Sequence, residues 1–161
     1  ARNLFARAGR NCKVATAASY NEAKLRKQDL SDMVQGSALQ SGDGDAGPTD
    51  WSLTCERSEL MKRIETSNKR LRELAASPAT FGGGVDEARH EGELLAAMCE
   101  AMLQSGMPDA DDGDYAGMVN ILKKSALDIV DASKLKNVDA ASKALGEASR
   151  SCDSCHETYR G

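Results

Sequence analysis

The feature that most constrains this chain is the spacing of three side chains near its carboxyl end. Cys152 and Cys155 are separated by two residues, and His156 follows directly. On a helix, positions three and four apart lie on the same side, so the two thiols and the imidazole project together. Cys-x-x-Cys-His is the attachment pattern of haem c, in which the thiols form thioethers and the imidazole takes an axial iron position. The sequence therefore predicts one covalent haem c.

Two other interpretations of the same cysteines have weaker support. A Cys-x-x-Cys pair can be a redox-active dithiol, but that chemistry expects a strand followed by a helix, and the sequence has no convincing strand pattern. The pair can also be half of a zinc site, but no second Cys-x-x-Cys or His-x3-5-His follows elsewhere in the sequence. Covalent haem remains the prediction.

The composition excludes several classes of protein. A length of 161 residues favours one domain with an appendage, and 4% aromatic residues with abundant Ala, Leu, Met, Lys and Glu favour an all-α fold. A net charge of -4 without a basic stripe argues against nucleic-acid binding. No apolar run approaches the ~18 residues of a membrane span.

The chain divides into an extension and a helical domain. Residues 1–50 are predicted to be a partly helical extension that ends in a Gly- and Asp-rich linker over 42–48. Residues 51–161 are predicted to form an antiparallel four-helix bundle, because four helical patterns follow one another with short or moderate connections. The four predicted helices run from Thr49 or Asp50 to just before Ser77, from Val85 to Ser105, from about Tyr115 to Lys134, and from about Asp139 to the end. A loop is predicted at 81–84 and an acidic turn at 109–114.

The other three cysteines have two possible roles. Cys12, Cys55 and Cys99 could include a disulfide in an oxidising compartment, and a Cys12–Cys55 pair would tie the extension to the bundle. They could equally be small buried apolar side chains. The chain begins at Ala1 without a signal peptide, which is typical of a mature product. Covalent haem itself predicts a periplasmic or otherwise exported protein, because its ligation is completed outside the inner membrane.

Two stretches resemble the class II c-type cytochromes, the family of cytochrome c prime and its low-spin relatives. The family carries Cys-x-x-Cys-His near the carboxyl end of a four-helix bundle, followed by an aromatic residue and Arg, and here Cys152–Arg160 reads CDSCHETYR. Its first helix often shows Arg with Leu or Met four residues later, and here Arg57–Ile64 reads RSELMKRI. The resemblance covers about 51–161, and residues 1–50 have no counterpart.

The resemblance implies a role for six residues. Cys152 and Cys155 are the thioether anchors, and His156 is the proximal iron ligand. Met61 lies on the distal side of the haem, either as the sixth ligand or as packing beside the apolar positions of its helix. Arg160 lies near the proximal face or a haem propionate, and Arg57 near the other propionate, with solvent exposure as the alternative for Arg57.

The sixth iron position separates two expected functions. A bond from Met61 to iron gives a closed, low-spin site of raised potential, suited to one-electron transfer with a redox partner protein. Without that bond, the five-coordinate iron binds nitric oxide or carbon monoxide. An enzyme is not expected, because no distal His or Arg pair is spaced for peroxide cleavage. The family often forms homodimers, so one is possible here.

Overall fold

All the regular structure that the computed structural model describes is helical. The model describes residues 2–39 and 50–160, and no strand occurs in these ranges. The predicted all-α class is therefore confirmed. The predicted linker at 42–48 and the candidate cap Thr49 lie outside the described residues. None of the described helices is both long enough and apolar enough to cross a lipid bilayer.

The chain forms two compact units, Ala1–Glu56 and Arg57–Gly161. In the first unit, α1 (Arg2–Cys12) packs on α2 (Ala17–Val34), and a 3-10 turn follows at Trp51–Leu53. Thr16 caps α2 through reciprocal hydrogen bonds with Ser19. The region predicted to be partly helical thus contains two helices.

The buried side of α2 is polar, which explains why its sequence shows no clear apolar stripe. Arg26 and Asp29 are 4% and 0% exposed, and Nε of Arg26 lies 3.1 Å from a carboxylate oxygen of Asp29. The guanidinium of Arg26 also lies 3.2 Å from Glu22, one turn earlier. Paired burial of this kind is compatible with a helix that lacks an apolar face.

The second unit contains five helices. The α3 helix (Arg57–Leu74) packs on α5 (Val85–Met102), α5 on α6 (Gly113–Lys134), and α6 on α7 (Val138–Tyr159). The α7 helix also contacts α3, and the short α4 (Pro78–Gly83) touches α3, α5 and α7. The side chains between them form one core of mostly aliphatic and small residues, which includes Ile64, Leu71, Leu74, Phe81, Leu95, Met98, Cys99, Met102, Tyr115, Val119, Leu122, Ile129, Ala141, Ala144, Leu145 and Ala148.

Several predicted helix boundaries differ from the structure: the second helix ends at Met102 instead of Ser105, and local capping explains three other differences. The helix expected from Thr49 or Asp50 does not run through, because Asp50 caps a separate 3-10 turn and α3 begins only at Arg57. The loop expected at 81–84 is largely helical, since Ser77 caps α4 and Pro78 occupies its first turn. The last helix begins one residue before Asp139, because Asn137 accepts a hydrogen bond from the Ala140 N–H.

Hydrogen-bonded side chains hold α3 against α5. Arg63 donates two parallel hydrogen bonds to the carboxylate of Glu91, at 2.9 and 3.0 Å. Ser67, which is fully buried, donates to the same carboxylate at 2.7 Å. These contacts hold the pKa of Glu91 below its usual value, with Arg63 as the main cause. The helix that carries Met61 is thereby fixed to its neighbour.

The α5 and α6 helices approach closely at Gly92. A side-chain carbon added at Gly92 would lie 3.0 Å from Cγ2 of Val130 and 3.1 Å from the carbonyl oxygen of Ala126. A carbonyl oxygen within a helix cannot move freely, so this position has room only for glycine. Gly117 in α6 is different, because a Cβ there would meet no atom within 4 Å.

We expect the two glycines to respond in opposite directions to substitution by alanine. Gly92→Ala should lower the free energy of unfolding by about 1 kcal/mol, since overpacking exceeds the gain in helix propensity. Gly117→Ala should raise it by about 0.5–1 kcal/mol, because only the propensity gain applies. Urea unfolding of both variants measures the difference, and equal stabilisation by both would contradict the close approach of α5 and α6.

Candidate haem-attachment site

The Cys-x-x-Cys-His motif forms the last turns of α7. The segment is helical through Tyr159, so Cys152, Cys155 and His156 do occupy positions i, i+3 and i+4 of one helix. Both cysteines are half-buried and pack against the core, whereas His156 is exposed. The motif therefore presents two thiols at the edge of the core and an imidazole beside them at the surface.

The two thiols of the motif have different neighbours. Burial raises the pKa of Cys152, with a smaller contribution in the same direction from Asp153. Burial also raises the pKa of Cys155, and the guanidinium of Arg57 opposes that rise. Arg57 belongs to α3, so the structure brings this predicted site residue close enough to the motif to affect Cys155.

A third thiol lies inside the core near the motif. Cys99 in α5 is 0% exposed, and burial, with a smaller effect of the neighbouring Cys152, raises its pKa to about 12. The other two cysteines belong to the first unit: Cys12 is exposed and Cys55 is half-buried. All five cysteines are free. The disulfide considered between Cys12 and Cys55 is absent, and the Cys55 thiol points back to the carbonyl oxygen of Trp51, 4.0 Å away.

Arg57 forms part of a polar cluster at the motif end of the unit. Its guanidinium donates a hydrogen bond to the carboxylate of Asp109. The guanidinium carbon also lies 5.9 Å from the centroid of the Tyr115 ring, within cation–π distance. The ring of Tyr115 meets that of Tyr159 edge to face, with centroids 5.2 Å apart. Arg57, for which a propionate contact was predicted, thus already has an anionic neighbour in Asp109.

The acidic turn before α6 has a defined place in this cluster. The carboxylate of Asp112 caps α6 by accepting hydrogen bonds from the N–H groups of Asp114 and Tyr115. The Tyr115 N–H, followed by the Tyr159 hydroxyl, holds the pKa of Asp112 below its usual value. Through the Asp112 side chain, the turn expected at 109–114 therefore contacts both the first turn of α6 and Tyr159 in the last turn of α7.

The remaining predicted residues, Met61 and Arg160, lie on different helices. Met61 follows Arg57 by four residues on α3, and it is half-buried and packed against the core beside Leu60. Arg160 ends α7 and is exposed, and in the described part of the chain no hydrogen bond or ion pair is assigned to it. The roles of Met61 as a distal residue and of Arg160 near the haem stay predictions.

The side chains of the motif match the number of ligands that a haem requires. Among residues 2–39 and 50–160, no group of three or more His, Cys, Asp or Glu side chains is arranged to hold a metal ion. A haem brings four nitrogen ligands of its own and requires one or two more from the chain. One exposed imidazole next to two free thiols meets that requirement, since His156 can ligate while Cys152 and Cys155 bond to the vinyl groups.

Two members of the cluster had no functional signal in the sequence. Tyr115 was expected only to lie near the start of a helix, and Asp109 only to belong to an acidic turn. Asp109 and Arg57 are 52 positions apart in the chain, so no local pattern connects them. An Asp in the left-handed region, with φ of 60° at Asp109, is the one backbone feature that marks the turn.

Comparisons of the chain with models of protein families, with curated proteins and with solved structures found no match.

We expect the cysteines to differ sharply in reactivity in the native protein. At pH 8, Cys99 should resist iodoacetamide, because a pKa of about 12 leaves about one thiol in ten thousand as thiolate and the side chain is buried. Cys12, which is exposed, should be alkylated first. Peptide mass spectrometry gives the order, and unfolding in urea should make Cys99 reactive. Rapid native labelling of Cys99 would contradict its place in the core.

Proposed function

We propose that this chain is a single-haem c-type cytochrome that transfers one electron in the periplasm. The observation that carries the proposal is the helical placement of the motif. Cys152 and Cys155 are free, half-buried thiols on one side of α7, and the His156 imidazole lies beside them at the surface. The proposal includes an antiparallel four-helix bundle of α3, α5, α6 and α7, which is supported by the contacts of α3 with α5, α5 with α6, α6 with α7 and α7 with α3.

Each part of the chain has a distinct task in this function. When bound, the haem supplies an iron that cycles between its ferrous and ferric states. The two thiols fix the porphyrin to α7, and His156 holds the iron from one side. The packed aliphatic core next to Cys152 and Cys155 limits the access of water, which lowers the cost of reorganisation during electron transfer. We propose a carrier without enzymatic activity, which serves a redox partner protein and can pair as a homodimer.

Met61 completes the site in the favoured form of this proposal. It lies on α3, a helix that contacts α7. The Arg63–Glu91 hydrogen bonds hold α3 against α5. In this form, the Met61 thioether would supply the sixth ligand. Such His/Met ligation raises the reduction potential and keeps the iron low-spin.

A second candidate function rests on how Met61 packs. Its side chain is half-buried against the core cluster, as a gap-filling methionine is. If the sulfur keeps that contact, the iron stays five-coordinate. The protein then binds a small neutral gas, such as nitric oxide or carbon monoxide, on the open side.

Covalent attachment is tested by extraction with acidified acetone. The wild-type protein, matured in a host with a haem-ligation system, should be red and should keep its haem, because a thioether cannot be washed away. In the double variant Cys152→Ala, Cys155→Ala, no haem should resist the extraction. Cys99→Ala, which changes the neighbouring thiol outside the motif, should keep it. A colourless wild type, or a bond between the two sulfurs of the motif, would remove the proposal.

The reduced absorption spectrum distinguishes the two candidate functions. Electron transfer through a closed site predicts sharp α and β bands that carbon monoxide does not alter. Met61→Ala should then convert the spectrum to high-spin and make it respond to the gas. Leu60→Ala is the matched control, since it truncates the adjacent half-buried side chain and leaves the sulfur in place. A wild-type spectrum that is already broad and gas-sensitive supports the second function instead.

A further inference from the structure

Near the motif, the described part of the chain contains a buried hydroxyl, that of Tyr115, whose proton has no acceptor. Tyr115 is 1% exposed and lies at the start of α6. Its hydroxyl oxygen is inaccessible to solvent, and the Arg57 guanidinium is close enough to donate to it, but no described side chain accepts the hydroxyl proton. A buried O–H donor without an acceptor is costly, so native proteins rarely keep one without a reason.

None of the neighbours of Tyr115 accepts its proton. Arg57 lies over the ring, but a guanidinium has only donors and cannot accept a hydrogen bond. The carboxylate of Asp109 bonds to Arg57. Tyr159 meets the ring of Tyr115 edge to face, and its hydroxyl lies beside Asp112. A group bound at this end of the unit would supply the missing acceptor.

The charge around the Tyr115 hydroxyl indicates what kind of acceptor would bind there. The phenol O–H and the Arg57 guanidinium are two donors in one place, and one of them is cationic. Such a pair binds an anionic oxygen acceptor more strongly than a neutral one. The haem that the motif predicts carries such oxygens at its edge, in the carboxylates of its propionates.

We propose that the Tyr115 hydroxyl donates a hydrogen bond to a haem propionate and so fixes the orientation of the haem against α6. The inference rests on the proposed haem attachment at Cys152, Cys155 and His156. Tyr115 acts here as a positioning residue that touches the periphery of the cofactor.

The test compares two tyrosine-to-phenylalanine variants of the haem-loaded protein. Tyr115→Phe removes the hydroxyl and keeps the ring, so its edge-to-face contact with Tyr159 and the core packing are preserved. Tyr20→Phe is the matched control, since Tyr20 is 68% exposed and belongs to the first unit. Resonance Raman spectroscopy reports the propionate bending mode, and the midpoint potential as a function of pH reports the ionisation of the propionate.

We expect Tyr115→Phe to shift the propionate mode and to move the pH-dependent step of the potential to higher pH. The loss of a donor destabilises the propionate anion, so its proton affinity should rise roughly tenfold, which is about one pH unit. Tyr20→Phe should change neither quantity.

Two results would overturn the proposal. The first is a red Tyr115→Phe variant with an unchanged propionate mode and an unchanged pH step. The second is a shift of the carbon monoxide stretch with the pH step unaltered, since it would place the hydrogen bond on the iron-bound ligand. In both cases covalent haem in the wild type survives, whereas a wild type without covalent haem would remove the proposed function together with this inference.

Discussion

The geometry of one helix determines what the candidate site can be. The buried positions of α7, Ala141, Ala144, Leu145 and Ala148, recur every three or four residues. Cys152 and Cys155 continue the same series, so both thiols fall at the edge of the core. His156 follows Cys152 by four residues, lies about 100° around the helix axis from Cys155, and is exposed in the last turn of α7. The helical period that buries α7 thus places both thiols at the edge of the core.

Contacts from the other helices fix α7 in place around the motif. Ser151, directly before Cys152, donates a hydrogen bond of 2.7 Å to the carbonyl oxygen of Met118 in α6. Two turns before Cys155, Ser149 accepts a hydrogen bond from Arg72 of α3. The motif is therefore held between α3 and α6, the two helices that supply Met61 and Tyr115.

In the polar cluster around Arg57, burial and positive charge shift the pKa values of neighbouring side chains in opposite directions. Burial raises the pKa of Tyr115, and the guanidinium of Arg57 opposes that rise. The same guanidinium opposes the effect of burial on Cys155. One cation from the first turn of α3 thus acts on both a phenol of α6 and a thiol of α7, which makes Arg57 the electrostatic link between three helices.

The sequence by itself determined the class of fold and that the cysteine–histidine motif lies on a helix. Helical periodicity and the Cys-x-x-Cys-His spacing are local properties, and local geometry follows from them. Capping details such as the role of Asn137 were missed because several polar residues near a helix start can serve as the cap. Only the tertiary structure decided that Cys99 lies near Cys152, that Arg57 pairs with Asp109, and that the Tyr115 hydroxyl is buried without an acceptor. These relations join residues on different helices, and their geometry depends on how the helices pack, which no spacing along the chain encodes.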